Sequence, residues 1–201
     1  LKAEEIMGVL DLNAMPPVLA DELAQDERFA ISTSRSIMVR YLAMNGTKPP
    51  FDDVRMRRAV SLLLNRQMLV DALYLGYAHP TVNLLSIASP FYREFPAVQD
   101  IEEAKRLSRA VLGDARREIV YCVNGADPIQ KGEAELIAYW LSEIGLDARI
   151  EVLEQPMQLA KMRRGDYDIG RAQQGLPNGD PTYIFQAFFT PKGARSAAMS
   201  L

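Results

Sequence analysis

Residues 48–66, KPPFDDVRMRRAVSLLLNR, constrain the fold more than any other stretch. Pro49 and Pro50 can neither donate to a sheet ladder nor sit inside a helix, so the element before them must end there. Phe51 follows as a hydrophobic staple. Asp52 or Asp53 can then cap a helix, accepting from its free first-turn amides and matching the positive end of its dipole. Met56, Ala59, Val60, Leu63 and Leu64 recur at helical spacing and form one apolar face, while Arg55, Arg57 and Arg58 fall largely elsewhere. Asn65 reads as a second cap. The helix it opens carries Met68, Leu69, Ala72 and Leu73 and stops at Gly76 in a left-handed turn.

Around this helical corner the chain alternates strands and helices. Toward the amino end lie a short helix about Ile6 and Met7, a brief strand over 9–12, a helix over 17–25 and strand candidates over 28–34 and 36–45. The last of these, IMVRYLAMN, mixes one polar residue into an apolar and aromatic run, as a mostly buried strand does. Residues 77–99 form a long proline-bearing loop. Asp100 and Glu103 make a capping box before a helix with Ala104, Leu107, Ala110 and Val111 on one face, ended by Gly113. A strand over 118–124, a turn over 125–130, a helix lined by Ala134, Ile137, Leu141 and Ile144, and an alternating strand over 146–153 make a crossover unit. A helix over 156–164, with Met157, Ala160 and Lys161 toward its apolar side, leads to a turn and strand in GDYDIGR. Asp180 and Pro181 open a final helix over 182–189.

The corner resembles the helical hairpin of the family 5 extracytoplasmic solute-binding proteins, whose run reads P-P-F-x-D-V-R-x-R-x-A, then A-x-D-R-x-x-[IL]-V, then G-x-A-x-P. Asn45, Pro49, Pro50, Phe51, Asp53, Val54, Arg55, Arg57, Ala59, Asn65, Arg66, Leu69, Val70, Gly76, Ala78 and Pro80 carry the match, with Asn65 in place of the usual Asp. GDYDIGR resembles the family's G-[DE]-[FY]-D element. The resemblance implies an α/β fold, a mixed sheet flanked by helices, forming one lobe of a type II periplasmic-binding-protein-like molecule. Residues 1–201 would then be a single ligand-binding lobe, a fragment whose first lobe and export signal lie elsewhere.

Composition narrows the function. A net charge of -3 with mixed signs lacks the basic footprint of a nucleic-acid binder. Cys122 and His79 are each the sole residue of their type, which leaves no internal disulfide, no cysteine metal cluster and a poor basis for nucleophilic catalysis. No metal ligand set and no cofactor are expected, and no run approaches the roughly 20 apolar residues of a membrane span. The glycines at 165, 170, 175 and 179 do not have phosphate-loop spacing.

What remains is a binding surface. RAQQGLPNGD, residues 171–180, lies after a strand and before a helix, where open sheets bind ligands. Arg171 offers a fork of donors suited to a carboxylate or phosphate. The resemblance places Arg171, Gln173 and Gln174 on the pocket wall, with Asn178 in the same segment and Tyr41 on a strand running toward the cleft. A purely structural reading pairs Arg171 with Asp168 or Asp180, and makes Tyr41 an aromatic core residue. Peptide-binding members carry an Asp where this chain has Pro177, which leaves peptides, sugars, opines and nickel chelates all open. The resemblance implies the substrate-binding component of an ABC importer, periplasmic or lipid-anchored, delivering a peptide or similar small solute to a membrane permease and performing no chemistry. The alternative is a small α/β hydrolase or transferase using Asp166, Asp168 or Asp180 as acid-base groups.

Overall fold

The computed structural model describes residues 15–175 and 180–190. The helix expected about Ile6, the strand over 9–12 and Asn178 lie outside the described residues.

The helical corner forms as its residues dictate. Strand β1, Met38–Met44, ends before the two prolines, and helix α2, Val54–Leu63, begins behind an Asp53 cap whose Oδ1 accepts from the Arg55 amide at 2.8 Å. Phe51, Met56, Ala59, Val60 and Leu63 are buried. Asn65 caps α3, Arg66–Tyr74, by accepting from the Met68 amide at 2.9 Å. Helix α3 closes through Leu75 and Gly76, both left-handed, so the turn starts one residue earlier than Gly76 alone suggests. Ahead of the corner, α1 spans Pro17–Ala24; residues 28–34, largely exposed, form no strand because no neighbouring strand pairs with them.

After the long loop, α4 spans Ile101–Leu112, with Asp100 accepting from the Glu103 amide at 2.9 Å. Only half of the capping box forms, since the Glu103 carboxylate turns to Arg106 instead. Strand β2, Arg117–Asn124, leads through α5, Pro128–Glu143, to β3, Leu146–Leu153. Asp127 and Pro128, as cap and first helical residue, start α5 inside the segment expected to be a turn. Helix α6, Gln155–Arg164, then precedes β4, Ile169–Gly175, and α7, Thr182–Phe189. The buried side of α6 carries Gln158 and Met162, while Met157 is exposed.

The four-stranded sheet has the order β1-β4-β2-β3, with β1 antiparallel to β4 and the other pairs parallel. Both faces are covered. Ile119, Tyr121, Val123, Leu146 and Ile169 pack with α2, α4 and α5; Cys122, Ala43, Met162, Tyr167, Ile184 and Phe188 form the core on the other face. Helix α6 passes so close to β4 that a Cβ on Gly170 would stand 2.6 Å from the Met162 methyl carbon. Because β3 and β4 flank β2 on opposite sides, the connections through α5 and α6 run in opposite senses across the sheet, and the carboxyl ends of β2 and β4 lie at the switch point where open sheets bind ligands.

Candidate functional site

The carboxyl end of β4 lies at that switch point, and alternation along the strand sorts its residues. Arg171 and Gln173 share the face of Ile169, toward α5; Gln174 shares the opposite face with Ala172. On β1, Arg40 is the register partner of Gln173 and lies on their face with Leu42. Tyr41 points the other way, edge-on to Phe188 with ring centroids 5.6 Å apart. The expected pocket residues are therefore divided by the sheet.

Arg171 is 4% exposed and its Nε donates to Glu133 Oε2 at 3.0 Å. Its Nη1 donates to Gln173 Oε1 at 3.4 Å. Tyr74, the last residue of α3, donates its hydroxyl to the other Glu133 oxygen and accepts from Arg40 Nη1 at 2.7 Å. The Arg40 guanidinium also lies 5.3 Å from the Tyr74 ring centroid and 3.9 Å from Asp127, the α5 cap. Four elements thus hold one chain of polar contacts, Arg40 to Tyr74 to Glu133 to Arg171. With Asp127 beside Arg40, the two arginines face two carboxylates. Burial pushes the Arg171 guanidinium down, and the adjoining Glu133 carboxylate outweighs it, leaving it above its ordinary value. Burial, with the Glu133 charge behind it, pushes the Tyr74 phenol up to about 12. Two buried atoms, Arg171 Nη2 and Tyr121 Oη, have no hydrogen-bond partner among the described residues. Tyr121 pairs with Ile169 in the β2–β4 register and so lies on the same face as Arg171.

Arg171 pairs internally, but with Glu133 rather than the Asp168 or Asp180 that its own segment offers. Glu133, Tyr74 and Arg40 escaped the sequence reading. A signal existed for Glu133: it stands four residues before Ile137 on the apolar stripe of α5, where a carboxylate needs a partner.

The acids of the alternative reading each have another task. Asp168 Oδ2 accepts the Val120 amide at 2.7 Å while Oδ1 faces Lys48 Nζ at 3.1 Å. Asp166 pairs with Arg164 on the surface, and Asp180 accepts from the Thr182 amide, which holds its carboxyl below the ordinary range. Burial pushes the Cys122 thiol up to about 11, far from a reactive thiolate. Among the described residues no three His, Cys, Asp or Glu side chains gather as a metal site would need.

Comparison with known proteins places this geometry. The model of bacterial extracellular solute-binding proteins, family 5 Middle, matches residues 3–196. The chain belongs to this family. Its relatives include the glutathione-binding protein GsiB of Salmonella typhi, 28% identical over 70% of this chain and 28% of that protein. The dipeptide-binding protein of Escherichia coli is 26% identical over 84% of this chain and 32% of its own length. Among solved structures, NikA from Brucella suis in complex with Fe(III)-EDTA superposes with a TM-score of 0.77 at 22% identity, covering 92% of this chain and 40% of that one. DppA from Helicobacter pylori in complex with the peptide STSA gives 0.76 at 22%, covering 90% and 37%. At these identities the likeness is one of fold: a mixed sheet flanked by helices, as in type II periplasmic-binding-protein-like molecules. The family 5 chain described here spans about a third of the curated relatives it matches.

Proposed function

We infer that this chain is one lobe of the substrate-binding component of an ABC importer. The reading rests above all on the family match over residues 3–196, and the polar cluster at the carboxyl ends of β2 and β4 supplies a wall for a ligand. The solute sits between this lobe and a second one, hinge closure buries it, and the closed form docks on a membrane permease. The molecule works outside the cytoplasm, periplasmic or lipid-anchored, and releases its ligand chemically unchanged. No helix among the described residues is long and apolar enough to cross a membrane, so the reading leaves passage to the permease.

Peptides and similarly small polar solutes fit best, in keeping with the glutathione- and dipeptide-binding relatives. Within the lobe, Arg171 and Gln173 belong to the ligand side. Tyr41, edge-on to Phe188 of α7, and Gln174 lie on the opposite face, and Asn178, in the segment that follows β4 in the sequence, is kept as a ligand residue of this reading. The enzyme alternative would need titratable groups converging on one pocket, whereas Asp166, Asp168 and Asp180 serve separate local contacts.

Purifying the full-length protein under native conditions and identifying any retained solute by mass spectrometry tests the proposal. The expected result is one small solute per protein, recovered intact and rebinding on calorimetry. Conversion of that solute on incubation, or retention of none together with no heat from a peptide panel, would overturn it.

A further inference from the structure

Arg40 was singled out by nothing in the sequence beyond being the one polar residue in an apolar strand, yet the structure fixes it firmly. Its side chain is 26% exposed, its Nη1 is held by the Tyr74 hydroxyl, and the Tyr74 ring underlies its guanidinium. Among the described residues its Nε and Nη2 have no hydrogen-bond partner. Directly across the β1–β4 ladder, exposed Gln173 accepts from Arg171 through its oxygen at 3.4 Å, which leaves its amide nitrogen without a partner among the described residues. Behind both stands buried Arg171 with Nη2 unmatched. The open groups of the resulting ledge are donors, because the neighbouring Asp127 carboxylate already accepts from the Ile129 amide and the Gln130 side chain, and Arg40 is braced by Tyr74 so that little of its side-chain freedom is left to lose on binding.

Resting on the importer reading, we propose that Arg40 and Gln173 form a carboxylate subsite, with Arg40 presenting Nε and Nη2 as a two-pronged edge and Gln173 adding a third donor. Tyr74, Glu133 and Arg171 are positioning residues for that edge. A ledge whose unengaged groups are donors matches an anionic oxygen pair better than an amide, which brings an N–H that finds no unengaged acceptor to receive it. Asp127 lies at 3.9 Å from Arg40 and tempers its charge without occupying those two nitrogens.

The test is calorimetry on the full-length protein with two probes, trialanine and its carboxy-terminal amide. The wild type is expected to favour the free acid by about tenfold or more. Arg40→Gln should bring the acid-to-amide ratio close to one, and Tyr74→Phe, which frees Arg40 from its brace, should give an intermediate ratio. That ratio separates positioning from mere destabilisation, because a less stable protein loses both probes alike. An unchanged ratio in Arg40→Gln, or no preference in the wild type, overturns the subsite and leaves the importer reading standing. If neither probe binds the wild type, peptide capture fails and the subsite with it.

Discussion

Arg171 and Glu133 withdraw two charges from water, and the pair is held because Arg171 Nε and Nη1 and both Glu133 oxygens are matched, with Nη2 alone left over among the described residues. Glu133 accepts from Arg171 with one oxygen and from Tyr74 with the other. Replacing Glu133 with Ala would strand a guanidinium that is 4% exposed, at a cost of about 3–5 kcal/mol. Urea unfolding followed by circular dichroism should show this, and a loss below about 1 kcal/mol would mean water reaches Arg171 freely. The pairing also marks how far residues could be read in advance. Arg171 stood out by type and place, but its partner lies 38 positions away on another element, and no local rule links β4 to α5. Tyr41 was visible only as an aromatic on a strand. The alternation that sends it to Phe188 rather than toward Arg171 needed the register with β4.

Elements were more legible, because their signals are local. The caps at Asp53, Asn65 and Asp100 act as their residue types require. The Asp100 site has an added tie, since its own amide donates to the Leu62 carbonyl at 2.9 Å and fastens α4 to the end of α2. Asp100→Ala removes the side-chain cap and leaves that tie, so a loss of about 1 kcal/mol is expected, read as a lowered urea midpoint with an unchanged slope. A changed slope would mean that α4 detaches separately. Failures occurred where polarity and burial part company. The inner side of α6 holds Gln158 because its amide donates to the carbonyls of Cys122 and Arg171 at 3.2 and 3.1 Å, a role that apolar periodicity does not register. Residues 28–34 had strand-like composition but lack a neighbour to pair with.

At the scale of the whole molecule, the mixed sheet was read from the family-like motifs together with the strand-helix-strand pattern, while the placement of β4 between β1 and β2 was not. Among the described residues the Arg40–Gln173 ledge stands open, and surface depressions of about 320 and 550 Å3 lie near Pro50 with Leu112 and near Met68 with Asp71. An open wall gives a solute only part of its contacts. The isolated 201-residue chain should therefore bind the solute retained by the full-length protein roughly 100-fold or more weakly than that protein does, measured side by side by calorimetry. Equal affinity would show that one lobe suffices.

The register that sets Met38 opposite Gly175 has a consequence for how the chain is made. In a polypeptide synthesised from its amino end, the corner built by α2 and α3 can close within a few dozen residues, whereas MVRYLAM waits for β4 to appear before its ladder can form. For that interval a sticky ribbon is left bare, so this edge of the sheet is both the last to be secured and the one most in need of shielding in transit.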